Sequence, residues 1–207
     1  MHVVRSVAVA DTGQAIDLVA SAIPDIPAYA WVLGPELDDP SWRSWIATLL
    51  TEPMVANSRV VGAFDGGRLV GLVGYRDPDD PQSALDADQK DAHIARAMTN
   101  PDLARRLVAV LTRIAEAEAD GEDAVGVSVA AVSPQARRGG VLWDLMATVE
   151  EHCRAHNRRY RAWTGHPELR TGWMRTFDLK PFATIELGDI ELYGLQSDRP
   201  PRRRDGA

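Results

Sequence analysis

The chain has 207 residues, 45% of them hydrophobic and 26% charged, which is typical of a globular protein in aqueous solution. This length suits one full-sized domain with a sizeable core. The 23 Lys and Arg residues are outnumbered by 30 Asp and Glu residues, and the net charge of −7 argues against a nucleic-acid-binding protein. Cys153 is the single cysteine, so an intramolecular disulfide is excluded and a reducing compartment is indicated.

The first part of the sequence predicts a strand, two helices and a hairpin. In chain order these are a strand over Val3–Ala10, a helix from Asp11 to Pro24, a helix from Ser41 to Pro53, and strands over Arg59–Phe64 and Arg68–Tyr75. Asp11 and Ser41 are suitable N-cap residues. Asp65-Gly66-Gly67 is a strong hairpin signal, because the two glycines tolerate positive φ angles.

The middle and the end of the chain predict alternating helices and strands. Residues 77–100 form an acidic insertion in which Lys90–Met98 is predicted to be a short helix. The remaining predicted elements are a helix over Pro101–Glu118, a buried strand over Ala124–Val132, a helix over Val141–His156, a strand over Arg159–Thr164, a helix over Leu169–Phe177, and a hairpin of Pro181–Leu187 with Ile190–Leu195. We therefore expect one mixed α/β (α+β) domain over residues 1–195.

The last residues differ from the rest of the chain in charge. Residues 196–207 are rich in Arg and Pro and carry almost no apolar side chain. This composition predicts a disordered basic tail. The acidic stretches at 77–91 and 116–123 are predicted to be a solvated loop and a helix end, or a surface that attracts a cationic substrate.

Two glycines and two arginines lie where the apolar strand Ala124–Val132 leads into the next helix. The segment runs from Val132 through Arg137, Arg138, Gly139 and Gly140. Free N–H groups and the positive end of the helix dipole favour an anion at such a helix start, and glycine lets the backbone approach a phosphate closely. The alternative is a tight strand-to-helix loop with exposed arginines.

At this segment the chain resembles the Gcn5-related N-acetyltransferase (GNAT) superfamily. The family's phosphate loop follows a strand as V-x-P-x-x-R-G-x-G-I-G-x-x-L. The residues that match it in spacing are Val132, Pro134, Arg137, Gly140, Val141 and Leu145. The order of elements agrees over residues 3–195, with a closing Lys180-Pro181-Phe182 strand. Within the family, the layout is most similar to puromycin-type small-molecule N-acetyltransferases of actinobacteria.

The resemblance implies a fold and a cofactor. The fold is a central twisted mixed sheet of about seven strands flanked by helices, with a V-shaped splay between the fourth and fifth strands. Acetyl-CoA (coenzyme A) is the implied cofactor, bound between Ala124–Val132 and Arg159–Thr164. The implied cofactor-binding residues are Ala130, Ala131, Val132, Arg137, Arg138, Gly139, Gly140, Val141 and Leu142.

The sequence departs from the family pattern at two places. In the loop, Arg138 replaces the family's glycine and loses freedom in φ, and Leu142 replaces a small residue and is expected to crowd the pyrophosphate. Met174 stands where the family commonly has a tyrosine that protonates the departing thiolate, and methionine has no proton to donate. Another group then acts as the acid, or the thiolate leaves unaided, or the protein does not acetylate.

Two residues after the Arg159–Thr164 strand are the candidate catalytic groups. The ordinary pKa of histidine suits His166 as a general base for an amine, and Glu168 assists it or binds substrate; the alternative for His166 is a surface loop. His152 is expected to face solvent, and Cys153 to lie in the core rather than act as a nucleophile. No metal site is expected.

These patterns together predict an acetyl-CoA-dependent N-acetyltransferase that acts on a primary amine of a small molecule by direct attack. The alternatives are a degenerate relative that binds acyl-CoA or a partner without turnover, and a protein or peptide acetyltransferase. Apolar runs fall short of the roughly 18–20 residues that cross a bilayer, and a signal peptide is not evident. We therefore expect a cytoplasmic monomer or homodimer without nucleic-acid or membrane partners.

Overall fold

The computed structural model of the chain describes residues 2–80, 85–119, 123–137 and 139–202. Seven strands are present in these ranges: β1 Val3–Ser6, β2 Val60–Asp65, β3 Arg68–Arg76, β4 Ala124–Val132, β5 Arg159–Thr164, β6 Lys180–Leu187 and β7 Ile190–Gln196. The helices are α1 Thr12–Ala22, α2 Pro27–Leu33, α3 Pro40–Ala56, α4 Ala87–Met98, α5 Pro101–Glu118, α6 Val141–Ala155 and α7 Pro167–Phe177.

The strands form one sheet in the order β1-β2-β3-β4-β5-β7-β6. Only β4 and β5 run parallel, and every other neighbouring pair is antiparallel. The β2–β3 hairpin turns through Gly66 and Gly67 at φ angles of 57° and 83°, so both central residues require the positive φ that glycine supplies. The predicted mixed α/β fold with about seven strands is confirmed.

Helices cover both faces of the sheet, and each face has its own buried apolar cluster. On one face, α1, α3 and α5 contribute residues such as Val19, Ile46 and Leu103. On the other, α6 and α7 contribute residues that include Cys153 and Phe177. Cys153 is fully buried, as predicted for a core residue, and burial raises the pKa of its thiol to about 12.

The helices before the hairpin differ from the prediction. A third helix, α2, begins at Pro27, because proline at the first helical position sacrifices no hydrogen bond. The predicted cap Ser41 lies inside α3; Asp39 is the N-cap, and its carboxylate accepts a hydrogen bond from the Ser41 N–H at 2.7 Å. Pro53 does not end α3, which continues to Ala56.

The start of the acidic insertion is anchored rather than solvated. Asp77 is 5% exposed and pairs with Arg158 at the start of β5 and with His152 on α6. The expectation that His152 faces solvent is therefore wrong, because its ring joins this buried network. Asp79 and Asp123 lie on the outer side of Arg158, at 2.8 and 3.2 Å.

The structure also differs from the predicted boundary at residue 195. Gln196 is the last residue of β7, and Ser197 is buried with its hydroxyl accepting a hydrogen bond from the Tyr160 N–H at 3.0 Å. Arg199 Nε donates to the Asn157 carbonyl at 3.0 Å. The residues at the start of the predicted tail thus contact the domain, the disorder of the tail stays a prediction, and residues 203–207 lie outside the described ranges.

Within the described ranges, a single helix long and apolar enough to cross a membrane is absent. The segments Val9–Asp25 and Pro27–Glu36 reach the required length and hydropathy only when taken together, and an 88° bend separates them.

Candidate active site

The sheet opens between β4 and β5. Their parallel pairing begins at Ala124↔Arg159 and ends at Val127↔Ala162. Beyond that point β4 stays paired with β3 as far as Val132, and β5 stays paired with β7 as far as Thr164. The two strands therefore diverge after Val127, and the predicted V-shaped splay is confirmed.

A β-bulge in β4 lies at the point of divergence. Tyr75 of β3 pairs with Val127 and the preceding Gly74 pairs with Val129, so Ser128 is an extra residue in β4. A bulge bends its strand and increases the local twist. It also explains why the β4 residues here are only half-buried, whereas the sequence predicted a strand buried on both faces.

Backbone polar groups of β4 point into the opening. The Ser133 N–H donates to the Val70 carbonyl at 2.9 Å, so the groups of Ser133 face β3. Arg137 Nε donates to the Val132 carbonyl at 3.3 Å from the other side. Because these directions alternate along a strand, the N–H and C=O of Val132 and Ala130 face the opening, while those of the intervening Ala131 face β3.

A narrow apolar crevice of about 10 Å³, roughly the room that one water molecule needs, lies beside the opening, on the face covered by α6 and α7. It is lined by side chains of β4, β5, α6, α7 and the residue before β6: Val127, Ala130, Leu142, Met146, Tyr160, Ala162, Trp173, Phe177 and Leu179. Leu142 is thus part of the crevice wall. That this side chain crowds the pyrophosphate stays a prediction.

The loop from β4 to α6 has the geometry of an anion site. Gly140 is the N-cap of α6 with φ of 76°, and a Cβ built on it would meet no atom within 4 Å. The first-turn N–H groups of α6, at Val141 and Leu142, have no acceptor within the helix. A negatively charged group fits this open cradle. Gly139 lies in the same turn, and Arg138 lies outside the described residues.

Two predicted site residues are brought together by a third that the sequence did not single out. Arg137 Nη2 and the Asp25 carboxylate form an ion pair at 2.8 Å. His166 Nε2 lies 2.7 Å from the Asp25 carbonyl oxygen. Since a carbonyl only accepts, Nε2 carries the proton, and Nδ1 is the basic nitrogen of the neutral ring. Asp25 lies between α1 and α2, at the edge of the opening.

Glu168 and Met174 both lie on α7. Glu168 is exposed in its first turn, where the helix dipole favours an acidic side chain. Met174 lines an open groove with Pro167, Arg170, Thr171 and Arg175. Trp173 and Phe177 are the α7 side chains that line the crevice. The structure therefore separates Met174 from the crevice wall.

A tyrosine that the sequence analysis missed reaches the opening from the opposite face of the sheet. The hydroxyl of Tyr29 lies 3.5 Å from the carbonyl of Ser128, the bulged residue. Burial raises the pKa of Tyr29 to about 12, so its phenol is neutral at physiological pH. The sequence signal for this position was Pro27, which starts α2 two residues earlier. Because α2 was not predicted, Tyr29 could not be placed in the fold.

This sheet, with its splay between the fourth and fifth strands and a glycine loop at the mouth, is the fold of the GNAT acetyltransferases. The structure is similar to an acetyltransferase from Corynebacterium glutamicum, with a TM-score of 0.64 and 15% identity over 99% of this chain and 98% of that one. It is similar to the polyamine N-acetyltransferase of Drosophila melanogaster, which forms N-acetylagmatine, with a TM-score of 0.63 and 19% identity over 95% and 99% of the chains.

A third similar structure is a GNAT-family acetyltransferase from Bacillus cereus, with a TM-score of 0.55 and 14% identity over 99% of both chains. No protein-family model and no curated protein matches the sequence. The comparisons thus establish the fold, which covers nearly the whole chain.

Proposed function

We propose that this chain is an acetyl-CoA-dependent N-acetyltransferase that acts on a primary amine of a small molecule. The observation that carries the proposal is the end of the β4–β5 pairing at Val127 and Ala162, beside the apolar crevice and below the α6 N-terminus. Along the opening, this arrangement offers backbone hydrogen-bonding groups first, then an apolar wall, and then an anion site. A pantetheine arm with its phosphates presents the complementary groups in the same order.

The proposed cofactor contacts follow from this arrangement. The N–H and C=O groups of Ala130 and Val132 receive the amides of the arm, because buried backbone groups require partners. The cradle at Gly140 and the first turn of α6 receive the pyrophosphate. The full proposed set is Ala130, Ala131, Val132, Arg137, Arg138, Gly139, Gly140, Val141 and Leu142.

His166 is the proposed base. Nδ1 of its ring takes the proton from the attacking amine, directly or through a water molecule, since Nε2 donates to the Asp25 carbonyl. Glu168, two residues further on, assists by attracting the ammonium form of the acceptor. Bound acetyl-CoA supplies the acetyl thioester that the amine attacks.

An amine screen with the full chain tests the proposal. The protein is incubated with acetyl-CoA and agmatine, spermidine or tryptamine, and mass spectrometry follows the acetylated amine while a thiol reagent follows released CoA. We expect CoA to bind in the micromolar range, about 8 kcal/mol, and at least one amine to be acetylated. Absence of CoA binding contradicts the proposal.

A non-catalytic protein that binds acyl-CoA is the second candidate, and Met174 favours it. This residue is among those that line an open groove, and it stands at the position where the resemblance implies a tyrosine acid. CoA binding without acetylation of any amine in a broad library supports this candidate. The puromycin-type substrate class, the cytoplasmic location and a monomeric or homodimeric state remain predictions.

A further inference from the structure

Asp25 contacts both edges of the opening between β4 and β5. Its carboxylate pairs with Arg137, which follows β4, at 2.8 Å. Its carbonyl accepts from His166, which follows β5, at 2.7 Å. Pro27, in the next turn of the chain, packs closely against Gly165 at the β5 edge. A Cβ built on Gly165 would lie only 2.6 Å from the Pro27 side chain. One residue thus links the two predicted functional side chains.

The Arg137 side chain lies along the β4 edge of the opening. Its Nε donates to the Val132 carbonyl at 3.3 Å while its Nη2 binds Asp25. The Val132 carbonyl is one of the groups that we assign to an amide of the cofactor arm. A guanidinium N–H therefore contacts a carbonyl that we assign to the cofactor.

Building on the proposed function, we propose that Asp25 is a positioning residue that holds Arg137 across the opening until the phosphate groups of CoA displace its carboxylate. Guanidinium groups bind phosphate through paired, charge-assisted hydrogen bonds. The Arg137–Asp25 pair is accessible to such a competitor, since the two side chains are 51% and 64% exposed. Asp25 therefore lowers the affinity for CoA.

The same residue couples the cofactor to the proposed base. When the Asp25 carboxylate is released, it becomes unpaired on the residue whose carbonyl contacts His166, while that contact and the packing of Pro27 on Gly165 still hold the α1–α2 connection at the β5 edge. CoA binding at one edge thereby changes the surroundings of the imidazole at the other.

Calorimetry of CoA binding to the full chain tests this with a double-mutant cycle. Asp25→Asn is expected to tighten CoA binding about two- to five-fold, the range that an exposed ion pair supports. In an Arg137→Ala background the same change is expected to have no effect, because the pair is already lost. Asp102→Asn is the matched control, because this substitution removes the same charge. Asp102 forms an exposed ion pair with Arg105 at 2.9 Å in the first turn of α5.

Each other outcome overturns the proposal. Weaker CoA binding in Asp25→Asn means that Asp25 organises Arg137 for the phosphates. Equal tightening in the Arg137→Ala background, or in Asp102→Asn, means simple charge repulsion. If the wild-type chain does not bind CoA, both the proposed function and this inference are rejected. If the wild-type chain binds CoA and Asp25→Asn leaves the affinity unchanged, this inference alone is rejected. Circular dichroism confirms that each variant is folded.

Discussion

Asp77 and Arg158, 81 residues apart in the chain, form an ion pair whose side chains are only 2% and 9% exposed. The pair fastens the start of the acidic insertion to the beginning of β5. It lies at the end of β4 and β5 where the two strands are still hydrogen-bonded, opposite to the end where they diverge. The opening is thus backed by a buried electrostatic contact that keeps the strand starts together.

Replacement of Arg158 by Met is expected to lower the free energy of unfolding by about 3 kcal/mol, because it leaves the Asp77 carboxylate buried without its cation. Urea unfolding at pH 7 measures the change. Arg105→Met is the control, since that arginine pairs with Asp102 in solvent and its loss should cost less than about 0.5 kcal/mol. Equal effects would contradict a special role for the buried pair.

The same network predicts a dependence of stability on acid. Burial alone would raise the pKa of Asp77, but hydrogen bonds from His152, the Asp79 N–H and Arg158 lower it to about 2. Because this pKa is lower than that of aspartate in the unfolded chain, the contribution is fully present at neutral pH. It is lost as the pH falls from about 4 to about 2, and it amounts to about 2 kcal/mol.

Unfolding of wild type and Asp77→Asn at a series of pH values checks this dependence. The difference in stability between the two proteins should shrink as the pH is lowered through that window. A difference that stays constant down to pH 2 would show that the carboxylate does not titrate with folding.

The cradle at Gly140 predicts a loss of cofactor binding in Gly140→Asp. A carboxylate there would face the phosphates and repel them, in addition to the strain of a side chain at φ of 76°. Gly140→Ala carries the same strain without the charge. We expect the Asp variant to bind CoA at least about ten-fold more weakly than the Ala variant, which corresponds to about 1.4 kcal/mol. Equal affinities in calorimetry would remove the phosphates from this loop.

His166→Ala is expected to reduce kcat on the order of 10²–10⁴-fold if the imidazole is the base. The affinity for CoA should stay in the micromolar range, and the pH–rate profile should lose the limb that reports histidine. Steady-state kinetics with the best amine of the screen provide the measurement. A kcat within about three-fold of wild type would exclude His166 from the mechanism.

Met174→Tyr is expected to leave kcat within about three-fold of wild type. The added phenol would extend into the open groove beside Arg170 and Thr171 rather than into the crevice. The same assay applies, with CoA affinity as the control for folding. A clear gain in kcat would instead show that the phenol reaches the leaving sulfur and that proton donation limits turnover.

Local patterns in the sequence were sufficient for much of the fold. The bounds of β4 and β5 are those predicted, because β4 is an apolar run and β5 is a short run with two aromatic residues, each between turn residues. The Gly66-Gly67 turn follows from the conformational freedom of glycine. The sequence also located the glycine turn at the start of α6, since its glycines immediately precede a clear amphipathic helix.

The contacts that complete the site could not be read in this way. The pairing of Asp25 with Arg137 joins residues 112 positions apart, and no local pattern encodes such a distance. Tyr29 and the third helix were missed because Pro24 and Pro27 were interpreted as helix breakers only, whereas proline also starts helices. The burial of Asp77 was missed because an acidic stretch usually lies in solvent.

Because Ser128 is an extra residue, the course of β4 beside the opening depends on the number of residues in the strand as well as on their side chains. A substitution at Ser128 changes a side chain beside the opening, but β4 keeps its extra residue relative to β3. Deletion of the residue would bring β4 back into regular register with β3 and remove the bend that turns it away from β5. The bulge at the centre of the sheet thus depends on one added residue of chain, which a substitution leaves in place and only a deletion removes.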